Sequence, residues 1–451
     1  MRRICFRVRV LTRREEFRLI VFGFLTLIVS SRVFAVPQEV LKNKQSPQAS
    51  SEMRHEAGNP TPLSVLIEEA KKNDPAIHSA ESAARAATFA SLQASTLPDP
   101  QFTLQQFSVG SPRPFAGYTN SDFAYIGLGA SQQFPYPGKR KLRGAVADRD
   151  ADATKAHVEV VLQDEIETLK TTYFHLAYLQ QTLGILQQNA ALLQQIEQQA
   201  GAHYSTGQGN QRDVLKAQLE RTKILREISM HHQLVGEDQA VLKRILRRPQ
   251  DSPDIIPEPL SATFLRYTAS ELLEKARGQN PNIHQDAEMI QRNQMAVELA
   301  QKEFRPDFEL SYMYEITDRK YRDYYMLSFS VNFPRRKPRQ AALAQAQVNV
   351  ERAQQEQDAQ VQAVLAEVQK QYVTIKASEE QLLIYRDGLI PQAQATIQAG
   401  LAAYESNRAD FETLFSSYMD VLNLDLEYQQ TLLDHDAAMA HIERLTGVTL
   451  P

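Results

Sequence analysis

Apolar and polar residues alternate along two stretches in the second half of the chain. At 308–316 and again at 325–333 every second residue is apolar, and a short charged turn separates the two stretches. A period of two is typical of β-strands with one apolar and one polar face. The first half has a fainter alternation, interrupted by a longer loop rich in proline and glycine. The pattern therefore predicts two β-hairpins, at 100–134 and 306–333.

Each predicted hairpin is followed by a long stretch in which apolar residues recur in steps of three and four. In the first half this stripe runs through 162–200, and a stripe of that length is typical of helices packed as a coiled coil. Turns near 204–212 and 404–410 end the outgoing helices, and a second helix returns after each. Gly388 and Pro391 lie inside the second outgoing helix and predict a local distortion there.

The two halves of the chain repeat one plan. The segment 75–78, Pro-Ala-Ile-His, recurs at 281–284 as Pro-Asn-Ile-His, and 100–104 recurs at the same offset as 306–310. A duplicated unit of roughly two hundred residues is far longer than a solenoid repeat. The chain is therefore predicted to be two copies of one structural module, whose function arises from what the copies build together.

The N-terminal residues have the pattern of a secretory signal peptide, with a basic lead, a short apolar run and small residues before the cut. A single transmembrane anchor is the alternative, but a span needs roughly 20 apolar residues and this run is shorter. The predicted organisation is a signal peptide (1–35), a flexible polar leader (36–60), a first repeat (61–248), a linker (249–267) and a second repeat (268–451).

Composition and charge exclude several classes of function. The one cysteine, Cys5, lies in the predicted signal peptide, so we expect no disulfide and no thiol chemistry in the mature chain. The net charge of −4 becomes more negative once the arginine-rich signal is removed, which argues against a nucleic-acid partner. We find no phosphate loop, zinc-protease motif or nucleophile elbow. The adjacent His231 and His232 point in different directions on a helix. We therefore expect no enzyme, no cofactor and no metal site.

Four predicted strands per chain have no visible partner sheet. Their length suits tilted membrane strands, which need roughly 9–11 residues, and their alternation suits a barrel wall. Four strands cannot close a membrane barrel, because the smallest have about eight. Several copies of the chain must then contribute strands to one wall. A soluble coiled coil with two terminal hairpins is the alternative, and it would leave the apolar strand face in need of another cover.

Several short motifs, taken together and in order, resemble those of the TolC family of outer-membrane efflux proteins. The resemblance extends from about residue 61 to the C-terminus. The motifs are Asn-Asp-Pro at 73–75 and Asn-Pro at 280–281, Pro-Asp-Pro at 98–100 and Arg-Pro-Asp at 305–307, Phe-Pro at 134–135 and 333–334, and the tip turns at 204–218 and 403–411. Each motif alone is weak, and their duplicated order carries the likeness.

The resemblance implies a mainly α protein with a β-barrel part. It implies a homotrimer that shares a twelve-stranded barrel in the outer membrane of a Gram-negative bacterium, above a periplasmic α-helical tunnel. The implied function is the passive duct of a tripartite efflux pump, which exports drugs or metal ions together with a periplasmic adaptor and an inner-membrane pump. The second tip turn resembles the corresponding turn of ducts that serve resistance-nodulation-division pumps. A duct for type I protein secretion and a non-channel periplasmic coiled coil are the alternatives.

The resemblance also implies a gate at the periplasmic tip. Asp213 and Tyr404 stand where family members have an acidic residue and a tyrosine that hold the tip shut. A carboxylate that accepts a hydrogen bond from a phenol would connect the two helical hairpins. The alternative is an ordinary helix-start carboxylate, stabilised by the helix dipole, beside a packed tyrosine.

The turns and the entrance supply the remaining candidate residues. Gly207 and Gly209, with Asn407 and Arg408, are the expected adaptor contacts; the alternative is that they only form the turns. Thr413 and Ser416 match entrance positions at which well-known family members carry acidic rings, so strong focusing of cations is in doubt here. Basic residues that follow each hairpin, among them Lys139 and Arg335, are expected either at the headgroup level or at solvated helix starts.

Overall fold

A computed structural model describes residues 60–117, 121, 124–207, 209–317, 323–406 and 408–450. The predicted signal peptide and the predicted leader, apart from Pro60, lie outside the described residues. The described residues belong to a single compact unit.

Long helices make up most of the described chain, and two β-hairpins interrupt them. The helices are α1 (Leu63–Asn73), α2 (Pro75–Ser95), α3 (Lys139–Ser205), α4 (Gln211–Ile245), α5 (Ala269–Gln279), α6 (Pro281–Lys302), α7 (Arg336–Ile384), α8 (Ile390–Glu405) and α9 (Phe411–Thr446). The strands are β1 (Gln101–Phe107) and β2 (Tyr125–Phe134) between α2 and α3, and β3 (Asp307–Ile316) and β4 (Asp323–Asn332) between α6 and α7. The same order of elements thus occurs twice.

Corresponding helices in the two repeats begin in the same way. Asp74 caps α2 and Asn280 caps α6, and each is followed by a proline in the first turn. Proline suits this position because its missing N–H would have no partner there and its φ is already helical. Both capping side chains accept hydrogen bonds from two backbone N–H groups. Only Asn280 also donates a hydrogen bond, from Nδ2 to the carbonyl oxygen of Leu445 at 2.9 Å.

The outgoing helices differ in continuity. Helix α3 has 67 residues without a break, which corresponds to about 100 Å. In the second repeat a π-helical turn, Tyr385–Leu389, separates α7 from α8. Pro391 follows this turn and lacks the N–H that a regular helix would use, so the backbone rearranges locally. The distortion lies where Gly388 and Pro391 predict it.

The four strands form one antiparallel sheet in the order β1-β2-β3-β4. The register places apolar residues opposite one another across all four strands. One such row joins Phe102, Ala130, Tyr312 and Leu327, and another joins Leu104, Leu128, Tyr314 and Tyr325. Because directly opposed residues share a face, these rows make one side of the sheet apolar. The other side carries mainly serine, threonine, glutamine, glycine and glutamate, as the alternation predicts, together with Met313, Met326 and Tyr324.

The apolar side of the sheet is exposed in the single chain. Phe102, Tyr325 and Leu327 are 76%, 75% and 69% exposed. Within the described residues, β1 and β4 each pair with a strand on one side only, which leaves a row of unpaired backbone groups at both edges. The sheet is therefore incomplete in two directions.

Helix α3 is the centre of the helical packing. It contacts α2, α4, α6 and α9, while α9 also packs on α7 and α8. Each repeat has an apolar cluster at an equivalent place, where its helices pack together. The first contains Leu66, Leu169 and Leu242 from α1, α3 and α4, and the second contains Leu272, Val368 and Ile442 from α5, α7 and α9. None of the helices in the described ranges is both long and apolar enough to cross a membrane.

An ion cluster joins the two repeats where the sheet meets the helices. Lys139, the first residue of α3, is 1% exposed. Its ammonium lies 2.9 Å from the Asp307 carboxylate, 2.9 Å from the Arg305 carbonyl oxygen and 3.4 Å from Glu303. Lys139 is therefore not at a solvated helix start, because tertiary packing places it against carboxylates of the other repeat. Arg335 is not in this cluster.

A polar bridge also connects α3 and α4, the two helices that form the first helical hairpin. His175 on α3 and Asp238 on α4 lie 2.7 Å apart. The hydrogen bond to Asp238 raises the pKa of His175 above its usual range, although partial burial acts in the opposite direction. The bridge therefore favours the charged form of the imidazole.

Candidate functional site

The first helical hairpin ends in a compact turn that requires glycine. Gly207 has φ +77, and nothing approaches the position of a Cβ there. The Gly209 N–H donates a hydrogen bond of 2.9 Å to the carbonyl oxygen of His203. A Cβ at position 209 would lie 3.0 Å from the Cβ of His203 and from the backbone nitrogen of Tyr204. The turn therefore packs directly against the last turn of α3.

In the second helical hairpin α7 and α8 run outward and α9 returns, and the turn between α8 and α9 caps the start of α9. Asp410 accepts hydrogen bonds from the backbone N–H and the hydroxyl of Thr413, and these bonds lower the pKa of the Asp410 carboxyl. The Arg408 guanidinium is exposed and donates to the Ser406 hydroxyl at 3.1 Å. Asn407 lies outside the described residues.

Tyr404 lies at the point where the two hairpins meet. It is 6% exposed, and its ring stacks on the imidazole of His203 with a centroid distance of 5.0 Å and an interplanar angle of 13°. Burial raises the pKa of the Tyr404 phenol, and the charge of the nearby Asp213 raises it further. The structure thus brings Asp213 and Tyr404 together, but among the described residues no hydrogen bond joins them.

Further rings continue from Tyr404 along α9. Phe411 meets Tyr404 edge to face at 6.3 Å and stacks on Phe415 at 5.7 Å, and Phe415 lies 6.3 Å from Tyr418. The Tyr418 hydroxyl donates to the carbonyl oxygen of Asn189 on α3 at 3.2 Å. Burial raises the pKa of Tyr418 far above its usual range. These rings form the buried centre of the tip.

A lysine from the first hairpin lies across this row of rings. The Lys216 ammonium is 4.6 Å from the ring centroid of Phe415 and 2.6 Å from the Glu412 carboxylate. A cation over an aromatic face is attracted by the ring quadrupole, and the carboxylate adds an ion pair. The row therefore has contacts from both helices of the first hairpin.

The predicted entrance positions are exposed. Thr413 and Ser416 both lie on the solvent side of α9, and neither side chain carries a charge. The Thr413 hydroxyl is already used by the Asp410 cap. Glu412, the neighbouring acidic residue, is paired with Lys216.

Sequence reasoning missed His203 and Lys216. His203 is the one basic residue in the last turn of α3, which is a favourable position near the helix C-terminus, but nothing local indicates a tyrosine two hundred residues away. In the part of the chain that the structure describes, no group of three or more histidine, cysteine or acidic side chains is arranged to hold a metal ion.

Comparison with known proteins identifies similar chains. A family model described as Outer membrane efflux protein matches residues 66–246 and 272–432. No curated protein sequence matches significantly. Three solved structures are similar over 85% of this chain: the outer-membrane channel OprN (TM-score 0.73, 17% identity, 89% of that chain), VceC from Vibrio cholerae (0.70, 15%, 96%) and the CmeC outer membrane channel from Campylobacter jejuni (0.71, 13%, 85%). At these identities the likeness concerns the fold.

Proposed function

Because the chain belongs to the outer membrane efflux protein family, whose model covers most of both repeats, we propose that it is the outer-membrane duct of a tripartite efflux pump. The family consists of efflux channels of the outer membrane, so the protein is a channel of that membrane and not an enzyme. Its fold is that of TolC-like channels, with a barrel part and a helical tunnel part.

The incomplete sheet is the single observation that carries the proposal. One chain presents a continuous apolar face and two unpaired strand edges. Lipid can cover the face, and pairing of β4 from one copy with β1 from the next removes the edges. Three copies would supply twelve strands, and the helices of the same copies would surround a tunnel. The proposed duct is passive, and the energy for export would come from a separate pump.

The remaining parts of the pump are proposed from the family relation. A periplasmic adaptor would bind the tips of the helical hairpins, and an inner-membrane pump, of the resistance-nodulation-division type, would supply the energy. Gly207, Gly209 and Arg408 are exposed or partly exposed at these tips and are proposed adaptor contacts, together with Asn407. The exported substrates would be small molecules, drugs or metal ions.

Asp213 and Tyr404 are proposed as the tip gate. The burial of Tyr404 between the two hairpins and its proximity to the Asp213 charge support this assignment. The entrance positions Thr413 and Ser416 are proposed to leave the tip with weak cation focusing, because a ring of hydroxyl groups has no net charge.

The test uses the full chain expressed in a Gram-negative host. We expect it to fractionate with the outer membrane, to migrate as a trimer in unboiled gels, and to conduct ions in a planar bilayer. Tyr404→Ala should raise the open probability. A monomer that stays in the aqueous fraction without detergent would refute the duct.

Export assays distinguish the two kinds of duct. Deletion of the gene should increase sensitivity to small toxic compounds or metal ions. Loss of a secreted polypeptide with unchanged sensitivity would instead indicate type I secretion.

A further inference from the structure

We propose that His203 is a positioning residue of the tip gate, which holds the duct closed by stacking on the Tyr404 ring and connects that ring to the first tip turn. The inference rests on the proposed function and deepens it. The contact that closes the tip is then between two rings, and the hydroxyl of Tyr404 is not required.

The geometry favours the ring over the hydroxyl. The two rings are nearly parallel, with an interplanar angle of 13° and centroids 5.0 Å apart, which is within the range of a favourable aromatic pair. Among the described residues, the Tyr404 hydroxyl makes no hydrogen bond with Asp213. The Asp213 side chain instead lies 3.5 Å from the guanidinium of its neighbour Arg212.

The stack connects parts of the chain that must separate for the tip to open. His203 belongs to α3 of the first helical hairpin, and Tyr404 lies in the last turn of α8 in the second. Other contacts cross the same boundary, among them Lys216 over Phe415, the ion pair of Lys216 with Glu412, and the hydrogen bond from the Tyr418 hydroxyl to the Asn189 carbonyl oxygen. The His203 contact comes from the last turn of α3, directly before the first tip turn.

His203 is also held by the turn that is proposed to meet the adaptor. The Gly209 N–H bonds to the His203 carbonyl oxygen, and position 209 has no room for a Cβ because His203 occupies that space. A shift of the turn would therefore move His203. Binding of an adaptor at the turn can then release the ring stack, which gives a physical route from docking to opening.

The experiment compares five variants in planar bilayers at one pH: His203→Ala, His203→Phe, Tyr404→Phe, Gly209→Ala and the control Tyr204→Ala. Tyr204 is exposed and adjacent to His203 in sequence. Each is first checked for unchanged trimer formation and melting temperature. Loss of an aromatic pair should change the equilibrium constant between the closed and open tip by about two- to tenfold per copy. If the three copies open together, the open probability of His203→Ala should increase on the order of tenfold or more.

The ring variants decide between the two closing contacts. His203→Phe and Tyr404→Phe keep both rings and should stay as closed as the wild type, as should Tyr204→Ala. Gly209→Ala should open the channel, because its Cβ displaces His203. Wild-type closure in His203→Ala would overturn the inference, and so would opening of Tyr404→Phe to the level of His203→Ala. A wild-type protein that forms no trimer and no channel would overturn the proposed duct itself.

Discussion

The equivalent helix starts of the two repeats allow a prediction about stability, because the same change can be made in opposite directions at Asp74 and Asn280. Asp74 and Asn280 are both buried, at 0% and 1% exposure. In each, Oδ1 accepts two backbone N–H groups. The second side-chain atom differs, because Asn280 Nδ2 donates to the carbonyl of Leu445, whereas Asp74 Oδ2 is buried without a hydrogen-bond partner. We therefore expect Asp74→Asn to stabilise the protein.

The magnitude follows from two opposing effects. A buried polar group without a partner costs about 1–3 kcal/mol, and more when it is charged. A carboxylate at a helix N-terminus gains about 0.3–1 kcal/mol from the helix dipole, which asparagine would lose. Asp74→Asn leaves a neutral amide in the same buried place, so it removes only the additional cost of the charge, and the net gain against the lost dipole interaction is about 1 kcal/mol or less. Asn280→Asp should cost about 1–3 kcal/mol, because it breaks the bond to Leu445 and turns a carboxylate oxygen toward a carbonyl oxygen.

Thermal unfolding of the detergent-solubilised protein, followed by helical circular dichroism, measures both changes. Asp251→Asn is the matched control, because Asp251 is exposed and surface changes usually stay within about 0.5 kcal/mol. Opposite signs for the two cap variants, with no change in the control, are the expected result. A loss of stability in Asp74→Asn comparable to that in Asn280→Asp would show that the charge of Asp74 is needed and that the reasoning is wrong.

Three further predictions concern the barrel, the ion cluster and pH. Leu327→Arg, on the apolar face of β4, should cost about 2–4 kcal/mol in a bilayer and reduce membrane-inserted trimer in unboiled gels, whereas Ser328→Arg on the polar face should not. Lys139→Met should destabilise by about 2–4 kcal/mol, because it leaves its carboxylate partners without the ammonium, while the exposed Lys141→Met should melt like the wild type. Because the pKa of His175 is raised in the folded protein, the stabilisation by its bridge to Asp238 is complete below about pH 6.5 and is lost as pH rises through the raised pKa. His175→Gln should abolish this part of the pH dependence of the melting temperature. If the melting temperature of the variant changed with pH as in the wild type, the bridge would be excluded as the source.

Local periodicity predicted most of the architecture. The alternation at 308–316 and 325–333 predicted β3 and β4, and the three-and-four stripe predicted the long helix α3. The distortion before Pro391 also followed from local chemistry. These features depend on neighbours within a few residues, so they can be read from one sequence without tertiary information.

The candidate site was predictable only in part. The family resemblance placed Asp213 and Tyr404 together at the tip, and the structure brings them close. It did not indicate that Tyr404 would stack on His203, or that Gly209 would be packed against the same histidine. Both contacts depend on how the two hairpins are placed against each other.

The amino-acid sequence alone determined the repeated order of helices and hairpins, because hydrophobic periodicity and turn residues act over short distances. The tertiary structure decided which of two similar buried residues has hydrogen-bond partners for all its polar side-chain atoms and which does not. Asp74 and Asn280 begin equivalent helices, yet Asn280 Nδ2 donates to the carbonyl oxygen of Leu445, whereas Asp74 Oδ2 is buried and receives no hydrogen bond. Likewise, Lys139 is one of several basic residues in sequence and becomes buried only because carboxylates of the other repeat surround it. The physical reason is that burial and pairing across the fold depend on residues far apart in sequence, whose distances are set when the helices pack.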